Sequence, residues 1–187
     1  MKVDIRSMYF EKEGRENTDR TVELAVERAR SLGIKEIVVA SNTGETAFKL
    51  LEKVKDEKVI VVTHHAGFRE PWKCEMKEEV RAKLEEMGAK VLTTMHALSG
   101  IERSFRNAFK GLYPTELVAE VLRLFGQGTK VCVEIAVMAA DAGLLSGGKI
   151  VAIGGTGRGA DTALVLTPAH TNRFLDMRIH EVICKPL

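Results

Sequence analysis

The chain has 187 residues, a formal net charge of +2, 45% apolar and 29% charged residues, the profile of a soluble globular protein that can bury one core over residues 1–187. So small a positive excess, with no basic run and no basic–aromatic alternation, excludes nucleic acid as a partner. No apolar run approaches a membrane span or a signal-peptide core, so a cytoplasmic protein with no membrane partner is expected.

After a short extended start, "NTDRTVELAVERARSLG" reads as a helix. Asn17 suits its N-cap, Gly33 its left-handed stop, and Val22, Ala25, Val26, Ala29 and Leu32 its buried stripe. Ile34 to Ala40 is β-branched and bounded by turn residues, a strand. A second helix is expected from Glu45 to Val54, and "KVIVVT" is a nearly continuous apolar strand, as in a parallel sheet covered on both faces. "KEEVRAKLEEMG" repeats the helix, with Val80, Leu84 and Met87 inward, and "AKVLTT" repeats the strand.

From Met95 to Lys110 the periodicity is weak, and a loop that can include a helical turn is expected. Pro114 opens the helix "TELVAEVLRLFG", and "TKVCVEIAVMAADAG" is apolar on most sides and should be deeply buried. "KIVAIGG", "TALVLT" and "RIHEVICK" close the chain as strands. Alternating β and α elements predict an α/β three-layer sandwich with a mostly parallel central sheet. The last connections are too short for helical crossovers, so some late pairing should be antiparallel.

Open α/β sheets bind ligands outside the carboxyl ends of their strands. The residues that follow the strands here are Ser41-Asn42-Thr43-Gly44-Glu45-Thr46, Thr63-His64-His65, Thr93 to His96, and Gly154-Gly155-Thr156-Gly157-Arg158-Gly159. The first group stands at a helix N-terminus, where unpaired N–H groups favour an anion and the Ser41, Thr43 and Thr46 hydroxyls can donate to phosphate oxygens. It can equally be a tight turn in which Thr43 caps the helix. The glycine-rich group can be an anion-binding nest or a wide hairpin turn. "GFREPW" reads either as a surface loop held down by Trp72 or as an apolar lid over a planar ring.

Neither the adjacent His64 and His65 nor Cys74, Cys132 and Cys184 match a metal spacing, so no metal is expected and the thiols read as structural. Lys130, Glu134 and Asp141 share one helix face, which reads as an ion-pair stripe or as acid–base groups facing a ligand. His64, Glu134 and Asp141 are the candidates for proton transfer.

"IVVASNTGETAFKLLEKV…KVIVVT" and "GGKIVAIGGTGRGADTALVLT" resemble, in this order, the C-terminal α/β domain of pyruvate kinase. "YPTELVAEVLRLFGQGTKVCVEIAVMAADAGLL" departs from it and looks like a group of mainly archaeal, stand-alone proteins of that kind. Only four Asn and one Gln against twenty Glu fit a thermophilic source. The resemblance implies that pyruvate kinase activity is absent, since no counterpart of the catalytic barrel precedes residue 17. In the full enzyme this domain holds a sugar bisphosphate between the hydroxyl-rich loop and the glycine-rich turn. That carries phosphate binding onto Ser41, Asn42, Thr43, Gly44 and Thr46, with support from Gly155, Thr156 and Gly157.

Glu45 stands where the pyruvate kinase loop often has a basic residue, which favours one phosphate over two. The expected ligand is a phosphorylated small molecule, FMN by the resemblance to the stand-alone group. Its body would lie toward Thr63 and His64, with Gly154 to Gly157 opposite. An enzyme (a flavin-dependent oxidoreductase or a phosphosugar-converting protein) and a ligand-sensing regulatory module remain alternatives, and a homo-oligomer is left open.

Overall fold

The computed structural model describes residues 7–187, so the part of the extended start before residue 7 lies outside the described residues. In chain order the elements are β1 (Met8–Phe10), α1 (Thr18–Ser31), β2 (Glu36–Ala40), α2 (Glu45–Leu51), β3 (Lys58–Thr63), α3 (Glu78–Glu86), β4 (Lys90–Thr93), α4 (Glu102–Phe109), α5 (Pro114–Arg123), α6 (Gln127–Asp141), β5 (Ile150–Gly154), β6 (Thr162–Thr167) and β7 (Arg178–Pro186). The strands form one sheet in the order β1-β7-β6-β5-β2-β3-β4. Only β6 runs against its neighbours, as the short late connections require.

The sheet divides two apolar layers. On one face Val22, Ala25, Val26 and Ala29 of α1 pack with Ala47, Leu50 and Leu84 of α2 and α3 against Ile37, Val39, Val59, Val61, Val151 and Ile153. On the other, Cys132, Ile135, Ala136 and Ala139 of α6 meet Val38, Ile60, Val62, Ile150, Ala152 and Leu164. Alternate residues of each central strand thus face opposite helical layers, which is why "IVVA" and "VIVV" are apolar throughout. Each fully buried Val, Leu or Ile side chain stabilises the fold by roughly 1.5–3 kcal/mol relative to exposure.

Several local expectations need correction. Asn17 occupies the α1 N-cap position but makes no side-chain cap; its amide donates to the Lys12 carbonyl at 2.8 Å instead. The second helix stops at Leu51 rather than Val54, and Met87 is exposed because α3 ends before it. The segment read as a loop with at most one helical turn contains α4, a two-turn helix in which no residue is buried. The apolar residues Ile101 (its N-cap), Phe105 and Phe109 do recur at helical spacing, but over only eight helical positions and with no buried side chain.

The α2 layer follows β2 on one face, and α6 precedes β5 on the other. Neighbouring strands β2 and β5 therefore have helical connections on opposite faces, while β5 leads from its carboxyl end into the turn to β6. That arrangement opens a crevice at their carboxyl ends, the topological switch point of an open α/β sheet.

Candidate functional site

A cleft of about 410 Å³ occupies this switch point, within the range of small-molecule sites. One wall is Ser41, Asn42, Thr43 and Thr46, and the opposite wall is Gly155, Gly157, Arg158 and Gly159. Thr63, His64 and Phe68 form one end, and Lys130 and Glu134 of α6 stand against them.

Local geometry explains why these sequences build walls. Gly44 adopts φ 90°, and a Cβ there would lie 2.5 Å from Val80 Cγ1. Only glycine fits this left-handed turn beneath α3. Gly44 is itself the N-cap residue of α2, so Thr43 is not the cap. The Ala47 amide approaches Ser41 Oγ at 3.4 Å, which leaves the hydroxyl proton free to donate. With seven residues, α2 is short, and its terminal dipole is a small contribution beside the charges that surround the cleft.

The glycine-rich turn is held from below. Asp161 is fully buried, and its carboxylate accepts from the Gly14 and Thr156 amides at 3.0 and 3.2 Å and from the Thr162 hydroxyl at 2.8 Å. The turn's two arms touch: a Cβ on Gly155 would meet the Gly159 carbonyl oxygen at 2.6 Å. Gly154 serves packing, since its α-carbon lies against Gly128 and Cys132 of α6. Neither Gly154, Thr156 nor Gly44 lines the cleft. The Thr156 amide, expected in an anion nest, is spent on Asp161.

His64 is held by several partners. Its Nδ1 donates to the Glu75 carboxylate, so Nε2 is the acceptor and takes the Asn42 side-chain N–H at 3.1 Å. The Asn42 carbonyl in turn accepts the His64 amide at 2.8 Å. The imidazole stacks on Phe68 with centroids 3.8 Å apart and planes 26° from parallel, and the Arg103 guanidinium lies over the same Phe68 ring at 5.1 Å. Glu75 also pairs with Arg69 at 2.8 Å. A carboxylate-oriented imidazole of this kind can accept or pass a proton once the Asn42 amide is displaced. Trp72 is 97% exposed, so it neither holds down the 68–72 loop nor touches the cleft.

Of the two carboxylates expected on one face of α6, only Glu134 reaches the site. It pairs with Lys130, both side chains being less than a tenth exposed, and accepts the Leu98 amide at 3.0 Å. Burial lowers the Lys130 pKa despite the carboxylate beside it. Asp141 is a correction. It sits at the far end of α6, where the Thr171 amide at 3.1 Å and His170 at 3.2 Å satisfy it and hold its carboxyl below the ordinary range. Seven residues along a helix span about 10 Å, so a shared face does not mean a shared site.

Sequence reasoning missed Glu75, Asp161, Arg103 and Arg123. The last two enter the cleft from α4 and α5, a segment in which nothing in the sequence links an arginine to a loop sixty residues earlier. Cys132 and Cys184 are buried as expected and Cys74 is exposed; burial pushes the Cys184 thiol up to about 11. Among the described residues no cluster of His, Cys, Asp and Glu suits a metal ion, and no helix is long and apolar enough to cross a membrane.

His96 lies beside this site, its ring 5.3 Å from that of His64 and 5.1 Å from that of His65. Burial, opposed by Glu134 and reinforced by His64, Lys130 and His65, pushes its pKa down to about 4. The unfolded chain binds a proton at this residue below about pH 6.5, while the folded protein resists until about 4. Stability is therefore fully present above 6.5 and falls as the pH drops toward 4, by about 3 kcal/mol. Urea midpoints of the wild type and of His96→Gln, measured across this window, should converge at high pH and diverge at low pH, with the wild type losing more. Parallel curves would remove His96 as the cause.

The family model described as "Pyruvate kinase, alpha/beta domain" matches residues 19–166. Among solved structures the chain is similar to a pyruvate kinase from Cryptosporidium parvum at 20% identity, covering 74% of this chain and 20% of that one with a TM-score of 0.38. It is also similar to Cryptosporidium parvum pyruvate kinase in complex with ADP, again at 20% identity, covering 87% of this chain and 23% of that one with a TM-score of 0.40. The chain thus spans about a fifth of the length of these enzymes. The matched region runs from α1 to β6 and includes both walls of the cleft, and the chain belongs to the pyruvate kinase alpha/beta domain family.

Proposed function

We propose that this protein binds one phosphorylated small molecule with a planar body, FMN, in the cleft at the carboxyl ends of β2 and β5. One observation carries the reading. Five cationic side chains, Arg69, Arg103, Arg123, Lys130 and Arg158, line the cleft against Glu45, Glu75 and Glu134. Arg69, Lys130 and Arg123 are paired with Glu75, Glu134 and Glu120, which leaves Arg103 and Arg158 as the cations that face an anion. Glu45 is itself paired with Arg15, so it opposes an anion less than the sequence implies. In this reading the phosphate takes hydrogen bonds from the Ser41, Thr43 and Thr46 hydroxyls and faces Arg158 across the cleft. The ring system extends toward Thr63 and the edges of the stacked His64–Phe68 pair.

Thr43→Val combined with Thr46→Val tests this assignment, because valine keeps the shape and removes only the hydroxyls. A hydrogen bond to a charged group contributes about 1.5–3 kcal/mol, so FMN affinity, followed by flavin fluorescence, should fall at least about tenfold. The urea midpoint should barely move. Equal affinity in variant and wild type would place the phosphate elsewhere.

A further inference from the structure

Helix α4 presents a physical problem. It has eight residues and none is buried, although isolated helices shorter than about 12–15 residues are marginal in water and depend on packing of an apolar face. That face exists and is turned outward: Ile101, Phe105 and Phe109 succeed one another at helical spacing, 67%, 47% and 73% exposed. On α5, Val118 and Leu122 pack inward with Ala119 and Val133, while Leu117, Val121 and Leu124 form a second outward stripe, Leu124 being 83% exposed.

The two helices are fastened as one surface. The Glu102 carboxylate accepts from the Thr115 amide at 3.0 Å, Arg106 pairs with Glu116 at 2.9 Å, and the Phe105 and Tyr113 rings are 6.3 Å apart. Leu112 and Phe125 extend it at either end. With the area that such side chains carry, the patch amounts to on the order of 800 Å². That exceeds the largest apolar patch of a typical monomer, roughly 300–600 Å², and equals about one partner's share of a standard interface. Arg103 Nε and Glu116 Oε2, the buried side-chain polar atoms without a partner among the described residues, both belong to these helices.

We propose that the α4–α5 face is the contact between two copies of this chain. The charges on it are of both signs, and Arg106 with Glu116 and Arg123 with Glu120 are paired within the chain. It therefore offers no single-sign field to select an acidic or basic partner and no like-charge penalty against its own copy. A two-fold contact covers both apolar faces at once and supplies α4 with the packing that the single chain lacks. The proposal does not depend on the ligand assigned to the cleft.

Sedimentation velocity of the full chain over a micromolar concentration series is the test. The wild type should have at least twice the 20.6 kDa mass of one chain. Phe109→Asp combined with Leu124→Asp should weaken association at least about thirtyfold and give the single-chain mass with an unchanged far-ultraviolet circular dichroism spectrum. Ile101→Glu, an independent change at an exposed position of the same face, should act in the same direction if the double variant proves poorly folded. A wild type that stays at 20.6 kDa throughout, or folded variants that keep the wild-type mass, would overturn the proposal.

Discussion

Replacing Glu134 by alanine is expected to lower the unfolding free energy by about 3–5 kcal/mol, the cost of breaking a buried ion pair from one side. The Glu134 carboxylate carries two separate duties inside the protein. One oxygen meets the Lys130 ammonium and the other receives the Leu98 amide. Its loss leaves a cation and a backbone N–H buried without partners, and water reaches them only through the cleft. Burial has already depressed the Lys130 pKa, so part of the strain will be relieved by loss of the lysine proton.

Lys130→Met together with Glu134→Leu should recover most of the loss, since apolar replacements of a buried pair are often neutral. The remaining deficit should reflect the orphaned Leu98 amide, about 1–3 kcal/mol. Urea midpoints of the single and double variants decide the matter. A single variant within 1 kcal/mol of wild type, a margin typical of exposed pairs, would show that the pair is solvated in solution.

The cleft joins segments that are distant in sequence, and this explains what could be read in advance. Local signals gave the sheet and its helices: continuous apolar strands, glycine stops, and Pro114 at the first position of α5. The walls of the cleft were legible for the same reason, because each is one short loop at the end of one strand. Side chains that enter from elsewhere were not. Glu75 reaches His64 from an irregular loop, and Asp161 ties Gly14 to the base of the glycine-rich turn across 147 positions. Arg103 and Arg123 are placed by the packing of α4 and α5, for which sequence periodicity offers no register.

Helix periodicity misled in one further respect. Lys130, Glu134 and Asp141 share a face, but the cleft lining on α6 runs from Gln127 to Met138 and stops short of Asp141. Periodicity fixes direction around the axis, and the position along it is set by where the strands end. The hydroxyl-rich loop was ambiguous for a related reason. A capped turn and an anion cradle use the same residues: Gly44 stands in the capping position, Ser41 Oγ accepts the Ala47 amide, and Ser41, Thr43 and Thr46 also line the cleft.

If the proposed ligand assignment holds, most of the affinity should depend on the phosphate. Two or three hydrogen bonds to a dianion, at about 1.5–3 kcal/mol each, correspond to on the order of 100-fold or more in dissociation constant. The Arg103 and Arg158 charges add a part that salt weakens. The flavin ring, by contrast, finds Phe68 already stacked on His64 and approached by Arg103, so it gains little beyond burial, a single aromatic contact contributing only about 0.5–1.5 kcal/mol in any case. FMN and riboflavin share the ring and differ only in the phosphate, so parallel fluorescence titrations of the wild-type protein with the two compounds isolate that group. The account predicts that FMN binds and that riboflavin binds at least about 100-fold more weakly. Equal affinities, or no FMN binding at all, would contradict it.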